Sequence, residues 1–155
     1  MSVNALHTRG LDAIERDLGL EAIVQALAAD TGLWTPLVRY AEPRLRIPLP
    51  SEPGIEARLL TWGPGQSSGL HDHGGSSGCF MVLRETVWET VVDYDGGIHE
   101  LTHATGEIGS FQRDIIHDVR NEGDRGAVTL HAYRPELTTM TKYEIVNGVV
   151  RKLDI

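Results

Sequence analysis

The chain is 155 residues long and carries 22 acidic against 14 basic side chains, a formal net charge of −8. That balance argues against nucleic acid as a partner, because a phosphate backbone wants a basic face. No stretch approaches the roughly 18 apolar residues of a membrane span, and 41% hydrophobic with 23% charged residues fits one globular domain over residues 1–155.

Met1-Ser-Val-Asn-Ala has neither the charged region nor the apolar run of a secretory signal. Cys79 is the one cysteine and cannot form an internal disulfide, so a reducing cytoplasm is the expected compartment. Residues 1–35 read as a helical segment. A weak helical pattern covers 11–18. Leu20, Ile23, Val24 and Leu27 then recur at i, i+3, i+4 and i+7, which predicts an amphipathic helix ending near Asp30-Thr31-Gly32.

Beyond Pro36, Gly and Pro become frequent and β-type runs follow one another. Predicted strands cover 57–62, 79–83, 86–94, 98–102, 109–112, 118–120, 127–133 and 141–146. Asp95-Gly96-Gly97 marks a hairpin turn, while residues 122–126 and Asn147-Gly148 mark further loops. Many short strands without intervening helices predict an all-β sandwich or barrel. The expected architecture is a jelly-roll barrel with the short N-terminal helices packed on it.

His71-Asp72-His73 lies in a glycine-rich stretch of this β region. Histidines at i and i+2 on a strand share a face, with Cα atoms roughly 6.6 Å apart at about 3.3 Å per residue. Both imidazoles can then converge on one metal ion. His117, far along the chain, supplies a third. Three imidazoles would close one face of an octahedron and leave the other open, which separates a catalytic metal from a structural one. The pair alone is equally compatible with ordinary surface or core histidines.

What adds weight is the surrounding pattern. Gly65, His71 and His73, then Gly106, His117 and Asn121, resemble the two motifs of the cupin superfamily, a double-stranded β-helix of jelly-roll form. Gln112 and Asp114 stand where the second motif usually has Pro and Gly. The usual cupin motif also has a glutamate ligand four or five residues after the second histidine, and here Ser77 and Gly78 occupy those positions. The metal would have three neutral ligands and keep its full positive charge, which suits an anionic co-ligand such as a thiolate. His7, His99 and His103 read as exposed.

Near the C-terminus Thr129, His131 and Tyr133 alternate with Leu130 and Ala132, so the three polar groups share one strand face. A hydrogen-bonded row pointing into the barrel would hold the phenol in place; a buried polar ladder with no catalytic role is the plainer alternative. Residues 62–83, 115–121 and 130–143 resemble the cysteine dioxygenase family of thiol dioxygenases, its short bacterial members above all. The resemblance covers roughly residues 36–150.

The resemblance implies His71, His73 and His117 as Fe(II) ligands and Thr129, His131 and Tyr133 as the row beside the iron, with Thr129 replacing the usual Ser. It implies a dioxygenase that adds both atoms of O2 to the sulfur of a small thiol, with L-cysteine giving cysteine sulfinate. A mercaptocarboxylate is the alternative substrate, and a non-enzymatic metal-binding sensor the alternative function. Thiol and O2 are the expected partners, with a monomer or homodimer as the acting form.

Two departures bear on the chemistry. Animal members cross-link the active-site Tyr to a Cys five residues past the second histidine, where this chain has Gly78. Cys79 is one residue further along, on the opposite strand face, so no cross-link is expected and Cys79 reads as a small core residue. The family binds the cysteine carboxylate through an Arg near the first barrel strand. Within Tyr40-Ala-Glu-Pro-Arg44-Leu-Arg46 either Arg44 or Arg46 is the candidate, unless both belong to a solvated edge strand. Arg84-Glu85 replaces a Glu-Gly-like turn of relatives and is expected to reshape the pocket rim.

Overall fold

Residues 16–153 are described, in a computed structural model of the chain. His7 and most of the helical pattern expected over 11–18 lie outside them. Helix α1 (Leu18–Ala29) starts where Asp17 caps it, its Oδ1 accepting the Leu20 amide at 2.9 Å. A second helical turn, α2 (Thr31–Trp34), and a 3-10 turn (Thr35–Leu37) follow at once.

Ten strands follow among the described residues: β1 (Arg46–Leu49), β2 (Glu56–Trp62), β3 (Ser77–Arg84), β4 (Thr86–Val92), β5 (Ile98–Ala104), β6 (Ile108–Phe111), β7 (Ile116–Arg120), β8 (Ala127–Arg134), β9 (Tyr143–Val146) and β10 (Val149–Lys152). They form a five-stranded sheet in the order β1-β2-β8-β3-β6, a three-stranded sheet β5-β4-β7 and the hairpin β9-β10. Every pairing is antiparallel.

Strand β8 runs down the middle of the large sheet, and its first seven residues are all buried. Both its faces are covered, and its alternation divides the core in two. Val128, Leu130 and Ala132 face outward and pack with Ala57, Leu59 and Cys79 under Leu20, Val24 and Trp34 of the helical segment. Ala127 and Tyr133 face inward with Leu60, Trp62, Phe80, Val82, Phe111 and Val119, the filling of the barrel. Burying one leucine such as Leu130 contributes roughly 1.5–3 kcal/mol. A one-residue slip of β8 would exchange its two faces, so the register is strongly specified.

The predicted strands are all present, with ends shifted by a few residues. β1 and β10 were not anticipated. Pro48 interrupts the β pattern of β1, which is tolerated because it is an edge strand. β10 is exposed over most of its length and pairs only with β9, so it carries no buried alternation to read. The Arg84-Glu85 turn does not reach the pocket rim: the Arg84 guanidinium lies 5.4 Å over the Trp34 ring, on the helical side of the sheet. No described helix is long and apolar enough to cross a membrane.

Candidate metal centre

The His71-Asp72-His73 segment is not a regular strand. Its neighbours Gly65, Gly69 and Gly74 have φ of 83°, 71° and 56°, left-handed turns that an L-residue adopts only with strain. What keeps the segment extended is a single bridge on each side. The His71 and His117 amides each donate to the other's carbonyl at 2.9 Å, and His71 also bridges to Lys142. Asp72 points away from its neighbours and fastens the chain there. Its Oδ1 accepts the Gly74 amide at 3.0 Å and the Thr141 amide at 3.3 Å, and its Oδ2 accepts the Tyr143 hydroxyl at 2.6 Å.

The three histidines meet as expected. One ring nitrogen of each lies within 4.8 Å of the others, and all three residues are buried. His71 Nδ1 lies 2.7 Å from the Gly69 carbonyl and His117 Nδ1 2.7 Å from Glu89 Oε2. A carbonyl and a carboxylate only accept, so both Nδ1 atoms carry the proton and each Nε2 presents a lone pair. His71 Nε2 and His73 Nε2 are 3.1 Å apart. His73 stacks on Phe111 at 4.3 Å between centroids, and its Nδ1 is buried with no partner.

Burial, and then the neighbouring His117, push His71 down to about 3. The same two causes, with His71 added, depress His73 strongly. Neutral, convergent imidazoles with oriented lone pairs fit a divalent transition metal, and the donor set contains no carboxylate.

Glu89 takes part from one layer further out. It is 2% exposed, on the inward face of β4, and its Oε1 lies 2.8 Å from His103 Nε2. Burial alone would raise its carboxyl, but hydrogen bonds from His103 and His117 outweigh this and lower it. His103 is therefore not the exposed residue expected; it is half-buried behind the metal site. His99 is also half-buried, its Nε2 2.6 Å from Asp93 Oδ2. His103 escapes exposure because Phe80 of the other sheet packs on it, and His99 because it folds onto Asp93 of its own hairpin. The signal for Glu89 was available: it shares strand parity with Val87 and Val91.

Thr129, His131 and Tyr133 form the anticipated inward row. Trp62 Nε1 donates to Thr129 Oγ1 at 2.8 Å, and Thr129 Oγ1 lies 2.8 Å from His131 Nε2. The indole can only donate, so Thr129 Oγ1 accepts there and bridges Trp62 to His131. His131 Nδ1 faces the Tyr133 hydroxyl at 3.5 Å. Burial pushes the Tyr133 hydroxyl up to about 12, so it keeps its proton at neutral pH. Its ring centroid is 5.4 Å from that of His73. Sequence reasoning missed Trp62 as the anchor of this row.

The metal site opens into a narrow cavity of about 40 Å³. Arg44 and Arg46 both line it, together with Arg58 and Lys142. Arg44 lies 4.3 Å over the Trp62 ring, half-buried, with Nη1 lacking a partner. Arg58 was findable from its parity with Leu60 and Trp62; Lys142 falls in the strand predicted over 141–146, but its bridge to His71 had no local signal.

Gly78 is the register partner of Tyr133 across β3 and β8. A Cβ at Gly78 would come within 2.6 Å of both Phe111 Cζ and the Ala132 carbonyl, so the aromatic ring fills this space. Cys79 faces the opposite, helix-side core, where burial pushes its thiol up to about 12. It cannot meet Tyr133.

Two antiparallel sheets wrapped around three convergent imidazoles define a cupin, a double-stranded β-helix with a metal-binding mouth. The chain belongs to the cysteine dioxygenase type I family, whose sequence profile matches residues 12–145. Among solved structures it is similar to the TT1209 protein of Thermus thermophilus, at 27% identity and a TM-score of 0.58 over 65% of this chain and 92% of that one. An uncharacterized conserved protein with a double-stranded β-helix domain from Klebsiella pneumoniae subsp. pneumoniae MGH 78578 is 15% identical, with a TM-score of 0.57 over 78% and 94%. Oxalate decarboxylase from Bacillus subtilis is 23% identical, with a TM-score of 0.54 over 58% and 24%. The last two speak for the fold alone.

Proposed function

We propose that the protein is an Fe(II)-dependent thiol dioxygenase of the cytoplasm, converting a small thiol to its sulfinate, with L-cysteine to cysteine sulfinate as the reference reaction. The observation that carries this is the Trp62–Thr129–His131–Tyr133 row aimed beside three convergent histidines, in a member of the cysteine dioxygenase family. A metal-binding sensor would need the histidines but has no use for an oriented phenol.

The reaction balances without a further reductant: a thiolate and O2 give a sulfinate, sulfur losing the four electrons that dioxygen takes up. His71, His73 and His117 would hold the iron through their Nε2 atoms, Glu89 and the Gly69 carbonyl keeping two of the rings in that tautomer. A ferrous ion bound there supplies the redox chemistry that a thiolate and dioxygen lack on their own.

The remaining roles belong to the protein. Tyr133 offers a hydroxyl proton at a fixed place and retains it at neutral pH, since burial pushes its pKa up to about 12. Arg44 or Arg46 anchors a substrate carboxylate, the planar guanidinium matching two oxygens at once. Leu60, Val119 and Met140 line the same cavity and limit the water in it. The test is oxygen uptake by the Fe(II)-loaded protein with a panel of small thiols, followed by mass analysis. Gain of two oxygen atoms per thiol supports the reading, and absence of uptake with every thiol favours a binding module.

A further inference from the structure

Among the described residues, four cationic side chains line the metal cavity and no acidic one does: Arg44, Arg46, Arg58 and Lys142. Arg58 is paired with Glu56. Arg44, Arg46 and Lys142 have no carboxylate within ion-pair distance among the described residues. Asp118, whose charge Arg44 feels, is already engaged by Arg120 at 3.5 Å and Ser68 at 3.3 Å.

The three unpaired cations come from separate segments of the chain. Arg44 is stacked on Trp62, and Arg46 opens β1 opposite Leu60. Lys142 is the backbone bridge partner of His71, on the strap that Asp72 holds through Thr141 and Tyr143. The metal site itself adds positive charge, because its ligands are neutral.

A thiol with two acid groups can place one on the Arg44–Arg46 side and the other on Lys142. The geometry points to a thiol dicarboxylate as the substrate class of this site. This assignment rests on the thiol dioxygenase reading and narrows it.

The test separates the two. The full chain, loaded with Fe(II) and kept anaerobic, is titrated calorimetrically with succinate, propionate and alanine, which carry the acid groups without the thiol. Succinate should bind at least about tenfold tighter than propionate, with the advantage shrinking as salt rises. Lys142→Met should bring succinate to within a few-fold of propionate; the side chain is exposed, so the fold tolerates the change. In oxygen-uptake assays mercaptosuccinate should exceed both 3-mercaptopropionate and L-cysteine in kcat/KM. Equal binding of succinate and propionate, or an undiminished preference in Lys142→Met, overturns the dicarboxylate assignment alone if thiols are oxidised. Succinate preference without oxidation of any thiol overturns the dioxygenase reading, and the thiol part of this assignment with it.

Discussion

His71 and His117 form a backbone pair, each amide donating to the other's carbonyl at 2.9 Å. Two of the three metal-binding rings are therefore set side by side by main-chain hydrogen bonds that need no ion. His73 follows because Asp72, tied to Thr141 and Tyr143, holds the intervening residue outward. The site is preformed by backbone, and its side chains can be removed one at a time.

We expect His71→Ala and His117→Ala to fold and to lose iron and activity together. Metal analysis after gel filtration, beside a circular dichroism spectrum, checks both halves. Stoichiometric iron in either variant would take that residue out of the site.

Glu89→Gln keeps the shape of the side chain but removes the charge behind His117. A lost outer partner of a metal-bound histidine lowers affinity about 10- to 100-fold. Competition with a coloured chelator measures it. Wild-type affinity would mean that Glu89 merely fills space between His103 and His117.

Thr129→Val breaks the line from Trp62 to Tyr133 and leaves a buried indole N–H unpaired, at a cost of about 1–3 kcal/mol in urea unfolding. Thr129→Ser restores the hydroxyl and should recover most of that loss. Tyr133→Phe should keep iron but slow turnover at least about tenfold. Wild-type rates in that variant would remove the phenol from the chemistry.

Gly78→Ala forces its Cβ against Phe111 and the Ala132 carbonyl. Overpacking of this kind costs about 1–3 kcal/mol, which urea midpoints report. Phe111→Leu in the same chain should recover part of it. A Gly78→Ala protein of unchanged stability would show that the ring gives way freely.

In the metal-free protein, acid should destabilise the fold. Burial holds His71 at about 3 against an ordinary 6.5, so between those values the unfolded chain binds the proton first and stability falls as pH drops. Glu89, held below its ordinary 4.5, adds a stabilisation present above that value and lost as pH falls through its lowered one. Urea midpoints should be flat above about pH 7 and decline toward pH 4, each such histidine adding up to about 1.4 kcal/mol per pH unit. A midpoint that rises on acidification would contradict this.

Much of the molecule was readable residue by residue, because period-two alternation and ligand spacing are local properties of a strand. The inward row on β8, the outward Cys79 and the His71–His73 pair follow from parity along a few neighbouring residues, while His117 is marked by its place in the second motif. The resemblance to the cysteine dioxygenase family pointed to the same positions through its motifs. The Arg44–Arg46 alternative was narrowed only to a shared cavity wall.

Other features depend on which strand lies beside which. Glu89 reaches His117 and His103 because β4 lies between β7 and β5. Lys142 enters the cavity because the strap after β8 folds back along His71, and no local pattern marks that return. His103 is shielded by Phe80 of the other sheet and by Glu89, whereas His99 is held by Asp93 within its own hairpin. Spacing along the chain thus named the metal ligands, whereas the charges and carboxylates around them were set by strand pairing and loop return, since those contacts exist only once distant segments have found their register.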